Sequence, residues 1–248
     1  MELTPHLATL QSVGLIYPSE LNPDFEFLFR HALLQDTVYE SILKTDRRRL
    51  HQSVAEALET YFSERRDEMA ATLAFHFLRA EKSELACFYF ALAGQYALAN
   101  YANVEAEQHY RVATQLSTSL PERASYLAGL GEALTRQSKF EEAGQVWQEA
   151  IQAYHGLHDF ENLARMYTQV AKMAGPSFAD DSVRALEICQ EGLRFMDGQP
   201  PSSSFATLLH QAGRAYAFRN LWEEAKRVLR IASVIGRQFS VKVLEQVV

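Results

Sequence analysis

Three runs in this sequence carry residue types that chemistry could use. His155-x-x-His158-Asp159 puts two imidazoles and a carboxylate at turn spacing, which are zinc-ligand types. Gly156 interrupts the run, and it falls between two helical patterns, so it reads as a solvated loop. Gly129-Leu130-Gly131 begins like a dinucleotide-phosphate loop, yet Leu134 stands where a third glycine belongs. No strand precedes it and the run lies inside a helical pattern, so these glycines serve packing. Arg47-Arg48-Arg49 with Arg65-Arg66 is the basic concentration. It offers phosphate contacts or a solvated helix start whose partners are Glu56 and Glu59.

No other constellation converges. The sequence has no G-x-x-x-x-G-K-[ST] phosphate loop and no G-x-S-x-G elbow, and neither cysteine stands in a catalytic signature. Cys87 and Cys189 lie far apart within helical patterns and read as buried hydrophobes of a reducing, cytoplasmic compartment. Asp180-Asp181, Glu141-Glu142 and Glu223-Glu224 fall at helix starts, where carboxylates favour the dipole. His31 reads as a corner residue near a helix start, His51 as a contact to a nearby hairpin, and His76 and His109 as helix residues. The sequence therefore points away from an enzyme and calls for no cofactor and no metal.

With 248 residues, 48% of them hydrophobic, the chain can bury a substantial core. No apolar run approaches the ~20 residues that span a bilayer, and the N-terminus lacks a signal-peptide core. A formal charge of −7 argues against general nucleic-acid affinity, which needs a basic face.

The elements that must position these residues are almost all helical. An amphipathic pattern over Leu3, Leu7, Leu10 and Val13 ends at Gly14. Leu15-Ile16-Tyr17 and the alternating Phe25, Phe27 and Phe29 read as two strands joined by turn residues, with the aromatic side half-buried. Helical spacing then runs without a further strand over approximately 32–44, 47–64, 67–80, 83–99, 103–117, 122–137, 141–155, 160–174, 180–196, 204–219 and 221–235. In the second of these, Leu50, Val54, Ala57, Leu58 and Tyr61 form the apolar side.

Aligned in pairs, the helices repeat. Gly94, Gly131, Ala171 and Gly213 hold a small-residue position late in each first helix, at separations of 37, 40 and 42 residues. Ala106, Ala143, Ala185 and Ala225 follow in the second helices. Tyr110, Trp147, Cys189 and Leu229 stand four residues further on, and Ala113, Ala150, Gly192 and Ala232 three beyond those. Small residues let antiparallel helices approach, and the large residue wedges into the neighbouring pair. The pattern resembles the tetratricopeptide repeat, whose ideal period is ~34, with longer loops. Such repeats stack as helix pairs with a concave face of first helices. In this register Gln95, Glu132, Arg136, Arg165, Lys172, His210 and Arg214 face the groove. Four of the seven are fixed cations, which suits an acidic peptide or a partner domain.

The run FRHALLQDTVYESIL…RRRLHQSVAEALE resembles the segment after the nucleotide-binding domain in bacterial STAND-type signalling ATPases, some cyclase-linked and some transcriptional regulators. The matching residues are Phe29, His31, Leu33, Gln35 and Tyr39, then Arg47, Leu50, His51, Val54, Ala55, Leu58 and Glu59. The resemblance implies a winged-helix-like portion over 1–45, a helical connector over 46–82 and about four tetratricopeptide-like repeats over 83–235. It implies a non-catalytic sensor scaffold whose partner is another domain of the parent protein. Ile231–Val248 resembles the segment that normally opens the winged-helix arm. Two placements follow: 231–248 completes the winged helix against 1–30, or 236–248 caps the last repeat. The alternative function is a winged-helix transcription regulator with a repeat sensor. Its reading helix, residues 3–13, carries no Arg or Lys, which disfavours DNA.

Overall fold

The computed structural model describes residues 3–19, 27–174 and 179–235, with the side chains of 179–181 and 235 outside that description. The rest of the proposed C-terminal segment, 236–248, and Phe25 of the aromatic alternation also lie outside the described residues.

Helix α1 (Leu3–Ser12) stops at Gly14, whose φ of 72° takes the left-handed conformation glycine allows without strain. Strands β1 (Ile16–Pro18) and β2 (Phe27–Phe29) then pair antiparallel, with Ile16 opposite Phe29 and Pro18 opposite Phe27. The expected half-buried aromatic face is only partly formed. Ile16 is buried, Phe27 is half-buried, and Phe29 is 42% exposed.

Helix α2 (Ala32–Ser41) starts at His31, in the corner position read from the sequence, and buries no residue. Helix α3 (Lys44–Tyr61) turns a different side inward from the one its apolar residues suggest. Ala55 is fully buried and Leu58 packs beside it, while Leu50, Val54 and Tyr61 are exposed, Tyr61 by 86%. Close packing sets this choice. The small Ala55 admits helix α4 (Arg66–Arg79) against α3, where Leu73, Ala74 and Phe77 meet it.

From α4 onward the chain is a stack of antiparallel helices. They are α5 (Ser83–Ala99), α6 (Asn103–Leu116), α7 (Leu120–Arg136), α8 (Phe140–Gly156), α9 (Phe160–Met173), α10 (Ala179–Phe195), α11 (Ser203–Phe218) and α12 (Trp222–Ile235). Each packs against the next, and α11 also packs on α9. The fully or nearly buried alanines Ala106, Ala143, Ala185 and Ala225 sit at the repeat positions.

Five of the connections share one turn. Glu81, Tyr101, Ser138, His158 and Asn220 all have φ between 55° and 61°. After each, the next backbone N–H reaches five residues back to close the helix, as Lys139 does to the Leu134 carbonyl at 3.0 Å. That is the Schellman closure, which satisfies the orphan carbonyls of a helix end. His158 thus serves as a left-handed turn residue with its ring edge-on to Phe160, while the His155 ring packs against Phe195. Among the described residues no group of three metal-ligand side chains converges. No described helix is long and apolar enough to cross a membrane.

Candidate functional site

A groove of about 430 Å³ opens on the first-helix side of the stack. Its walls come from three first helices: Gln95 of α5, Ser125, Glu132 and Arg136 of α7, and Arg165 and Gln169 of α9. Its floor comes from second helices, through Tyr110 of α6 and Trp147 of α8.

Missing side chains make room for that floor. A Cβ on Gly129 would lie 2.5 Å from the Tyr110 ring, and one on Gly131 would lie 2.0 Å from the Trp147 nitrogen. Trp147 Nε1 donates to the Ala128 carbonyl at 3.2 Å, so the buried indole has its partner. Burial, helped by the Glu132 charge, pushes the Tyr110 phenol up to about 12, which keeps it neutral.

The seven residues read from the sequence divide. Gln95, Glu132, Arg136 and Arg165 line this one groove. Lys172 at the end of α9 and His210 and Arg214 on α11 are exposed and lie outside its lining. The cations are also less available than their number suggests. Arg136 donates to Glu132 at 2.6 Å and to the Leu98 carbonyl at 2.7 Å, and its guanidinium lies 5.9 Å from the Tyr101 ring centroid. It therefore ties α7 to the carbonyl end of α5, where a cation also suits the helix dipole. Arg165, exposed like Arg136, hydrogen-bonds the buried Tyr154, whose phenol burial pushes up while Arg165 pulls it down. A larger cavity of about 690 Å³ lies elsewhere, lined by Gln145 of α8, Met173 of α9 and Arg184 of α10, and holds none of the seven.

A charge cluster that single residues did not reveal joins two helix pairs. Glu107 of α6, 9% exposed, accepts from Arg111 at 2.9 Å, Gln137 at 2.9 Å and Lys139 at 2.8 Å. Burial alone would raise its carboxyl, but these donors outweigh burial and hold it down at about 2. Arg111 extends the cluster to Glu142 at 2.8 Å.

The basic run near the N-terminus is engaged locally. Arg47 faces Glu40 at 3.6 Å, Arg48 meets Glu81 at 2.5 Å and Arg49 lies 3.6 Å from Asp46. The expected partners are taken by others: Glu56 accepts from Gln52, and Glu59 from the Tyr89 hydroxyl. His51 also departs from expectation. Its partners among the described residues are Tyr39 of α2 and His76 of α4, and none belongs to the hairpin.

Comparison with known proteins adds the architecture. The crystal structure of BtubC (BKLC) from P. vanneervenii matches with a TM-score of 0.54 at 16% identity, over 79% of this chain and 91% of that one. A putative kinesin light chain from Podosopora anserina with nearly identical TPR-like repeats matches with a TM-score of 0.55 at 14% identity, over 78% and 96%. The fold is a tetratricopeptide-like stack. This agrees with the glycine and alanine spacing, and at such low identity the likeness concerns the fold alone. A scan against protein families finds no match, and a search of curated proteins returns none.

Proposed function

We propose that the chain is a non-catalytic interaction scaffold whose first-helix groove receives an acidic peptide or partner segment. The observation that carries this is the convergence of Gln95, Glu132, Arg136 and Arg165 from three successive first helices on one groove. Such a groove has fixed walls, so little ordering cost attends binding. Arg165 is the cation that would meet an incoming carboxylate, because Arg136 already holds the Glu132 carboxylate and the Leu98 carbonyl, whereas no carboxylate among the described residues pairs with Arg165. The resemblance of the N-terminal run to STAND-type ATPases supports a sensor role in a bacterial signal-transduction ATPase or cyclase-linked regulator. In that setting 1–45 forms a winged-helix-like portion, 46–82 a connector and 83–235 the repeats.

Trp147 in the groove floor supplies the readout. In a Trp222→Phe background it is the only indole. Its fluorescence is titrated with acetylated nonapeptides of net charge −4 and of net charge +4. Saturable response to the acidic peptide, weakened about tenfold or more by Arg165→Glu, is the expected result. Equal response to both peptides, or an unchanged affinity in Arg165→Glu, overturns the acidic-ligand reading. The genomic sequence upstream of Met1 tests the wider setting, since a phosphate-loop ATPase encoded in frame there is what the resemblance requires.

A further inference from the structure

Away from the groove, three aromatic side chains from three helices form one hydrogen-bonded chain. Tyr39 Oη lies 3.0 Å from His51 Nε2, and His51 Nδ1 lies 2.9 Å from His76 Nδ1. The three residues belong to α2, α3 and α4, so the chain runs from the N-terminal portion into the first helices of the stack.

Two neutral arrangements satisfy it. In one, the Tyr39 hydroxyl donates to His51 Nε2 and His51 Nδ1–H donates to His76 Nδ1. In the other, His76 Nδ1–H donates to His51 Nδ1 and His51 Nε2–H donates to Tyr39. Either way a single proton lies between the two Nδ1 atoms. A single added charge is still accommodated, its proton going to an outer Nε2. Charging both imidazoles puts an N–H on each Nδ1 and sets two donors and two like charges against each other at 2.9 Å, so the pair must part.

The surroundings sharpen this intolerance. From α2 the pair meets Tyr39 and from α4 Arg79; Glu40 of α2 and Arg47 of α3 pair with each other, and Glu81 beyond α4 is occupied by Arg48. The Arg47 guanidinium lies 5.0 Å from the Tyr39 ring centroid, and Glu40 is its partner at 3.6 Å. Among the described residues no carboxylate pairs with either imidazole, and the Phe75 ring lies edge-on to both. Burial, with Arg79 beside His51 and with His51 beside His76, lowers both imidazoles from the ordinary 6.5.

What this chain holds in place is weakly held otherwise. Helix α2 buries no residue, and its Leu33 and Val38 are 80% and 46% exposed. Tyr39 and Glu40 are its ties to α3. We propose that Tyr39, His51 and His76 form an acid-released latch that docks α2, and with it the N-terminal hairpin, onto the helical stack. Each imidazole is neutral in the docked state. Docking is therefore complete above the ordinary imidazole value of 6.5 and is lost as pH falls below it, because the undocked histidines take up protons more readily. This latch is independent of the groove and of any ligand there.

Backbone hydrogen exchange on the whole chain at pH 7.5 and pH 5.5, corrected for intrinsic rates, tests the latch. Helix α2 is expected to lose about tenfold in protection at the lower pH, equivalent to one unit of proton linkage, while α7 is unchanged. Tyr39→Phe is expected to leave α2 poorly protected at both pH values while the two imidazoles, followed by their nitrogen resonances, still titrate together below 6.5. His76→Gln is expected to remove the pH response. The proposal is overturned if α2 and α7 respond alike, if His76→Gln keeps the wild-type response, or if the two imidazoles titrate independently at the ordinary value. Tyr39→Phe retaining the full response in α2 overturns it equally.

Discussion

Trp147 occupies the space that any side chain at position 131 would need, since a Cβ on Gly131 would fall 2.0 Å from the indole nitrogen and 2.2 Å from its neighbouring carbon. The same relation holds between Gly94 and Tyr110 and between Gly213 and Leu229. One helix of each pair gives up a side chain so that a large one from its partner can lie flat against the backbone.

Gly131→Ala tests this directly. In an open helix the change stabilises by about 1 kcal/mol, through reduced unfolded-state entropy. Here the indole must move and lose its bond to Ala128, and overpacking of this kind costs about 1–3 kcal/mol. A lowered urea midpoint with an unchanged slope is expected. The control is Gly156→Ala, where nothing lies within 4 Å of the added methyl and the propensity gain should appear.

Glu107 predicts a specific acid sensitivity. Its carboxyl is depressed from 4.5 to about 2, so its stabilisation is complete above 4.5 and is lost as pH falls towards 2. The full shift corresponds to about 3 kcal/mol, and exposure of the Lys139 and Arg111 partners reduces this to about 1–2 kcal/mol. Urea unfolding of wild type and Glu107→Gln at pH 5.5 and pH 3 isolates it. The variant should be the less stable at pH 5.5, and the gap should narrow at pH 3.

Ser138 predicts a gain. It holds φ at 61° without being glycine, and its side chain is exposed. Ser138→Gly removes that strain while keeping the Lys139-to-Leu134 closure, for an expected gain of about 0.5–1 kcal/mol in chemical denaturation. An equal or lower midpoint would show that the turn is unstrained.

Much of the stack was legible because its signals are local. The spacing of Gly94, Gly131 and Gly213 against Ala106, Ala143 and Ala225 reports how near two adjacent helices must lie, and that distance fixes register. The helix over 83–99 falls where the periodicity put it, and the others differ at their ends by a few residues. The groove was half legible. Gln95, Glu132, Arg136 and Arg165 meet because α5, α7 and α9 line up, whereas Lys172, His210 and Arg214 depend on how the stack continues beyond α9. Two features were hidden for the same reason. The inward side of α3 is chosen by Ala55 against α4, and the His51–His76 contact joins residues 25 apart on different helices, which no periodicity encodes.

The exposed Leu33, Leu43 and Tyr61, at 80%, 70% and 86%, bear on how the protein behaves in solution. Its colloidal stability rests on mutual repulsion from a formal charge of −7, which disappears near the isoelectric point of 5.6. That pH lies just below the range in which the imidazoles begin to charge, so mild acid withdraws the repulsion while loosening an already greasy end of the molecule. Self-association should set in there first, beginning at the N-terminal end and sparing the alanine-packed helices behind it.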